Sequence, residues 1–131
     1  KDNVKMGMAI LDGSYLVGKI IEVNFTNSRA LLLSDLNSKI PVLLEPHDMQ
    51  AVLSGTGQNY GIIEYTKEEY RDAMKGTVIV YTSGQGGLFK PGLPVGKLID
   101  ENDNKSLINF FSDFKQLDYV KIVSYEIGGI N

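Results

Sequence analysis

The single histidine, His47, stands in Glu45-Pro46-His47-Asp48, a setting that could make it a general base or a ligand beside two carboxylates. A zinc site wants several His or Cys ligands. The chain has no cysteine, so one His with Glu45 and Asp48 on a proline loop falls short, and the expectation is a solvated or capping histidine with no metal. A serine hydrolase would need His47 oriented by Asp35 or Asp48 against Ser54 or Ser83, beside a pair of N–H groups for the oxyanion. Ser83-Gly84-Gln85-Gly86-Gly87 could supply those N–H groups, yet no local motif ties it to His47. The plainer reading is a turn whose glycines permit positive φ. The same loop and Gly55-Thr56-Gly57 invite phosphate-binding readings. A P-loop needs Gly-Lys-Ser/Thr opening a helix, and a dinucleotide fingerprint needs Gly-x-Gly-x-x-Gly between strand and helix; neither context exists here. No catalytic residue, cofactor or metal is expected.

The elements that would position these residues are short apolar runs of Val, Ile, Leu and Tyr between Gly, Pro, Asn and Asp clusters, which is an all-β pattern. Strands are expected over 8–11, 16–25, 29–33, 40–44, 51–54, 60–65, 77–82, 95–100, 106–111 and 119–125. Along 16–25, alternation puts Val17, Ile21, Val23 and Phe25 on one face and Gly18, Glu22 and Asn24 on the other. Thr66 followed by Glu69 is a capping-box pattern, so a short helix is expected over 67–74, ended by Gly76. A further helical turn is expected over 113–118.

Two stretches resemble each other. Lys5-Met6-Gly7-Met8-Ala9-Ile10, a turn, and Val17-Gly18-Lys19-Ile20-Ile21-Glu22 form one copy. Lys75-Gly76-Thr77-Val78-Ile79-Val80, a longer turn, and Val95-Gly96-Lys97-Leu98-Ile99-Asp100 form the other. Each reads as a hairpin whose second strand bends at its glycine, as small barrels require.

The chain has 131 residues, 43% of them hydrophobic, with a net charge of -3. That suffices for a core and supplies no basic face, so nucleic acid is not an expected partner. The apolar runs reach about four residues where a membrane span needs about 20. Lys1-Asp2-Asn3 leads straight into a folded pattern, so the start reads as a fragment boundary.

The segment Val80-Tyr81-Thr82-Ser83-Gly84-Gln85-Gly86-Gly87-Leu88-Phe89-Lys90-Pro91-Gly92-Leu93-Pro94-Val95-Gly96-Lys97 resembles the signature of the MreC family of rod shape-determining proteins. In that signature a strand ends in Thr-Ser-Gly; a glycine-rich turn, an aromatic, Pro-Gly, and a hydrophobic-Gly-Lys strand start follow. Leu16-Val17-Gly18-Lys19-Ile20, Leu31-Leu32-Leu33-Ser34-Asp35, Leu53-Ser54-Gly55-Thr56-Gly57 and Leu117-Asp118-Tyr119-Val120 resemble flanking family segments. The likeness covers about residues 4 to 125. It departs after Tyr65, where the possible helix replaces a strand, and upstream, where the family's membrane helix, coiled coil and initial barrel strands are absent. The resemblance implies two small six-stranded β-barrels, the first over 1–45, partial and completed by C-terminal strands, and the second over 46–131. It implies a periplasmic domain of a single-pass inner-membrane protein, a non-catalytic scaffold of the elongasome that organises peptidoglycan synthesis and maintains rod cell shape. Its implied partners are a class B penicillin-binding transpeptidase, MreD, RodA and the MreB system, together with self-association. From the residues alone, a small barrel hydrolase or a glycan- or ligand-binding module stays open.

Candidate partner-binding residues are Leu88, Phe89 and Leu93 in the glycine- and proline-rich loop 84–94, with Tyr60 among the strand aromatics. Pro91 and Pro94 fix φ and remove two N–H donors, which stiffens the loop and keeps it out of sheet pairing. Phe89 has two readings: an anchor for a partner, or a plug folded back over an open barrel end.

Overall fold

The computed structural model describes residues 4–64, 70, 72, 74–87, 89–102, 104–117 and 119–123. Within them lie ten strands: β1 (Ala9–Asp12), β2 (Tyr15–Val23), β3 (Ser28–Leu32), β4 (Lys39–Glu45), β5 (Met49–Gly55), β6 (Tyr60–Glu64), β7 (Ile79–Thr82), β8 (Pro94–Asn102), β9 (Lys105–Phe110) and β10 (Lys121–Val123). The all-β class holds, and each expected strand is met within a few residues. Most of the helix expected over 67–74 falls outside the described residues; one bond of helical spacing, Met74 N–H to the Tyr70 carbonyl at 3.1 Å, lies within them. The helical turn expected from Asp113 is an Asx turn instead: the Asp113 carboxylate accepts the Lys115 N–H at 3.0 Å and its carbonyl the Gln116 N–H at 3.0 Å.

Strands β4-β5-β6-β9-β8-β7 close into a six-stranded barrel, and β10-β1-β2-β3 form an open four-stranded sheet. Of the two barrels implied by the resemblance, one therefore closes from the described strands and the other is present as an open sheet. The sheets change over between Leu32 and Lys39, ahead of the expected division at 45/46. Residues 46–48 form the hairpin turn between β4 and β5, which pair from Lys39 with Ser54 to Leu44 with Met49. Turn residues alone do not distinguish a hairpin from a link between subdomains. The actual link, 33–38, is strapped to the end of β5: the N–H groups of Gly55 and Gly57 reach the carbonyls of Ser38 and Ser34 at 3.0 and 2.7 Å. A Cβ on Gly55 would run into the Asp35 carbonyl and stand 2.6 Å from that of Leu33.

Alternation on β4 turns Ile40, Val42 and Leu44 inward and leaves Lys39, Pro41, Leu43 and Glu45 on the outer wall. With Leu53, Ile63, Val80, Val95, Ile108 and Phe110 they form the barrel core, and Ala9, Leu11 and Leu16 of the open sheet join the same cluster. Burying each large apolar side chain contributes about 1.5–3 kcal/mol. Ile10, Val17 and Ile20 make a second, smaller cluster.

The internal repeat is real in three dimensions. Ala9 pairs with Lys19 and Ile10 with Gly18; in the second copy Ile79 pairs with Lys97 and Val80 with Gly96. The register then slips in both copies, leaving Val17 and Val95 as the extra residues, and slips again further on at Ile21 and Ile99. The hydrogen bonds Ile20 N–H to Met8 and Leu33 N–H to Val17 recur as Leu98 N–H to Val78 and Phe111 N–H to Val95. A Cβ on Gly18 would lie 2.6 Å from the Leu31 carbonyl oxygen, and one on Gly96 would lie 2.5 Å from that of Asn109. Both glycines are there to let a neighbouring backbone approach. The bulges also correct the expected faces of β2. Val17 is fully buried while Val23 is 40% exposed, because each inserted residue reverses the alternation beyond it.

Candidate partner-binding site

His47 lies exposed in the turn between β4 and β5. Ser54 and Ser83 sit at the other end of those strands. Ser54 pairs with Lys39, and the Ser83 N–H donates to the Pro41 carbonyl at 3.4 Å. Four to five residues of strand, roughly 13–16 Å, separate them from the histidine. Asp35 belongs to the linker beside Gly55, also at the far end. The hydrolase candidates are therefore not brought together. Among the described residues, no group of three His, Asp or Glu side chains is placed to hold a metal ion.

The loop 84–94 is stapled to Thr82. Its buried hydroxyl donates to the Lys90 carbonyl at 2.7 Å and accepts the Leu93 N–H at 2.9 Å. The Thr82 backbone N–H and carbonyl pair with Leu93 and Gly92, each at 2.9 Å. This folding-back carries Phe89, 6% exposed, and Leu93, 9% exposed, into the core cluster of the barrel. Of the two readings of Phe89, that placement accords with the plug. Leu88 lies outside the described residues. Tyr60 is half-buried at the start of β6, its carbonyl accepting the Thr56 hydroxyl at 2.7 Å. Two aromatic pairs serve packing: Phe110 stacks on Phe114 with centroids 4.9 Å apart and Tyr15 on Phe111 at 5.0 Å. Tyr65 is outside the described residues.

What the folded-back loop leaves at the surface is a groove on the outer wall, about 640 Å³, lined by Leu43, Glu45, Tyr81, Ser83, Pro91 and Gly92, with Thr82 at its base. Leu43 and Tyr81 face each other across β4 and β7. Beyond Glu45 the turn brings up Asp48. Its carboxyl hydrogen-bonds to that of Glu45, and this, with partial desolvation and like charge, raises the Glu45 pKa above its ordinary value. Sequence reasoning missed Leu43 and Tyr81. The available signal was apolar residues at the outward positions of strands whose other face already supplied the core. A smaller cavity of about 160 Å³ is lined by Leu44, Ile63, Tyr70 and Met74 among others.

A family model described as rod shape-determining protein MreC, barrel core, matches residues 1–124. The cell shape-determining protein MreC of Cereibacter sphaeroides is 32% identical over 132 residues, covering 100% of this chain and 43% of that protein, so the chain spans less than half of that relative's length. Among solved structures, MreC from Pseudomonas aeruginosa superposes with a TM-score of 0.79 at 27% identity, covering 94% of this chain and 83% of that one. A complex between penicillin-binding protein PBP2 and MreC from Helicobacter pylori contains the same fold, with a TM-score of 0.62 at 20% identity and coverage of 93% and 78%. A match over residues 1–124, on a fold whose duplicated hairpins and signature loop are both in place, makes this chain a member of the MreC family, carrying its barrel core.

Proposed function

We propose that this barrel core is the extracytoplasmic part of a non-catalytic scaffold that maintains rod cell shape by holding peptidoglycan-synthesis enzymes together. The match of the family model to nearly the whole chain carries the reading. A packed barrel interior accords with it: Val42, Val80, Val95 and Ile108 are fully buried there. The partner closest to hand is a class B penicillin-binding transpeptidase, since a relative of the same fold has been solved with PBP2. MreD, RodA, the MreB system and a second copy of the protein are the further partners of the proposal. Periplasmic placement is part of the same proposal; among the described residues no helix is long and apolar enough to cross a membrane.

The test is complementation. In rod-shaped cells depleted of their own MreC-family protein, the full-length protein should restore rods, and the same protein lacking this domain should not. The His47→Ala form should restore rods as fully as wild type. Rounded cells despite normal abundance of the full-length protein, or a loss of rods in the His47→Ala form with its fold intact, would overturn the reading.

A further inference from the structure

We infer that the groove between Leu43, Tyr81 and Pro91 is a docking site for an extended segment of a partner protein, one carrying an apolar side chain next to an arginine or lysine. The inference rests on the scaffold reading and adds where, and by what chemistry, a partner is held. The repeat provides the first argument. Ala9 and Ile79 are equivalent before the turn, Gly18 and Gly96 after it (offsets 70 and 78), so the second copy's turn holds eight more residues. The first copy makes the same hairpin through the two residues Gly13 and Ser14. The hairpin does not need the extra residues, and they build the groove's wall.

That wall is pre-organised. A Cβ on Gly84 would lie 3.0–3.1 Å from the Pro91 ring, so the two ends of the loop are packed together. Thr82 fixes Lys90, Gly92 and Leu93 by four hydrogen bonds. A surface already ordered loses little conformational freedom on binding. The floor is apolar, with Leu43 opposite Tyr81 and both half-exposed, and an aromatic beside a proline ring suits the flat insertion of an apolar side chain. Strands β4 and β7 are paired with each other inside a closed barrel. They offer no free edge, so recognition is by side chains and not by adding a strand.

Charge selects the occupant. Glu45 lines the groove and Asp48 hydrogen-bonds to it. Among the described residues the ion pairs join Arg29 to Glu22, Lys75 to Asp72 and Lys105 to Glu64, which leaves the Glu45–Asp48 pair without a cation of its own. A guanidinium or ammonium beside the apolar anchor would supply that cation and relieve the repulsion.

The test uses two probes: the intact extracytoplasmic part of the same organism's class B penicillin-binding transpeptidase, and short overlapping peptides that tile it. Both are titrated against the wild-type chain, Tyr81→Ser, the double variant Glu45→Gln with Asp48→Asn, and Leu36→Ser. Leu36 is 71% exposed in the linker and serves as a control. Melting curves verify that each variant is folded. The expected result is binding concentrated in peptides that pair an apolar residue with Arg or Lys. It should weaken about tenfold or more in both groove variants, fall with added salt, and stay unchanged in Leu36→Ser. Equal binding of acidic peptides, or groove variants that bind as wild type, would overturn the proposal. If the intact transpeptidase binds wild type and groove variants alike, the groove proposal fails while the scaffold reading stands. If basic peptides bind through the groove and the transpeptidase does not, the groove stands and the transpeptidase is the wrong partner. Should the groove variants lose only self-association in sedimentation, the occupant is a second copy and the proposed partner segment is wrong.

Discussion

Phe89 shows how one residue's meaning depends on what its neighbours do with their polar groups. Thr82 satisfies its own hydroxyl by gripping Lys90 and Leu93, and that grip carries the aromatic ring just ahead of Lys90 into the buried core cluster. Phe89→Ala should therefore cost about 3–5 kcal/mol by chemical denaturation, as deletion of a buried aromatic does. A variant that melts like wild type would place the ring at the surface after all. Glu45 makes a different prediction. Its pKa is raised, first by the hydrogen bond that its protonated carboxyl donates to the Asp48 carboxylate and then by desolvation and like charge. The folded chain therefore holds that proton more tightly than the unfolded chain does. The resulting stability is present below the ordinary Glu value of 4.5 and is lost as pH rises through the higher folded value. Glu45→Gln has no such loss, so its melting temperature relative to wild type should rise from acid to neutral pH. A difference that is constant with pH, or runs the other way, would show that the two carboxyls do not interact.

At the scale of elements, the β1-β2-β3 and β7-β8-β9 units are one solution used twice. A strand carrying Val-Gly-Lys near its start is bulged at its valine, pressed at its glycine against the next strand, and bulged again after Ile20 or Leu98. Gly18→Ala and Gly96→Ala should each destabilise by about 1–3 kcal/mol, because the added carbon meets a backbone oxygen and not a movable side chain. Gly7 and Gly13, which have positive φ but nothing within 4 Å of a built Cβ, should cost less when changed to Ala. Similar losses at all four positions would mean that backbone conformation, and not the close approach, is what glycine provides. The Val-Gly-Lys pair was legible in the sequence. The bulges were not, because a bulge is defined by the partner strand's register and leaves no mark on the strand that carries it.

Across the whole molecule, the closed barrel and the open sheet should differ in local stability although they share one core cluster. Among the described residues every barrel strand is hydrogen-bonded on both sides, while β3 and β10 each pair on one side only. Amide exchange followed in the native state should be slowest in β4, β7, β8 and β9, and faster by orders of magnitude in β10 and on the unpaired side of β3. Equal protection of β3 in the full-length protein would show that another strand covers that edge.

The sequence by itself determined the all-β class, the approximate position of every described strand, the duplicated hairpin and the family. These are local properties: alternation, turn residues and short motifs are written within a few residues of where they act. Only the tertiary structure decided that the sheets part at the linker strapped by Gly55 and Gly57, that Val23 turns outward while Val17 is buried, and that Phe89 points inward. It alone brought Leu43, Glu45, Tyr81 and Pro91 to one groove. Each of these depends on the register between strands far apart in the chain. One slipped residue there reverses a face, and nothing in the local sequence records it.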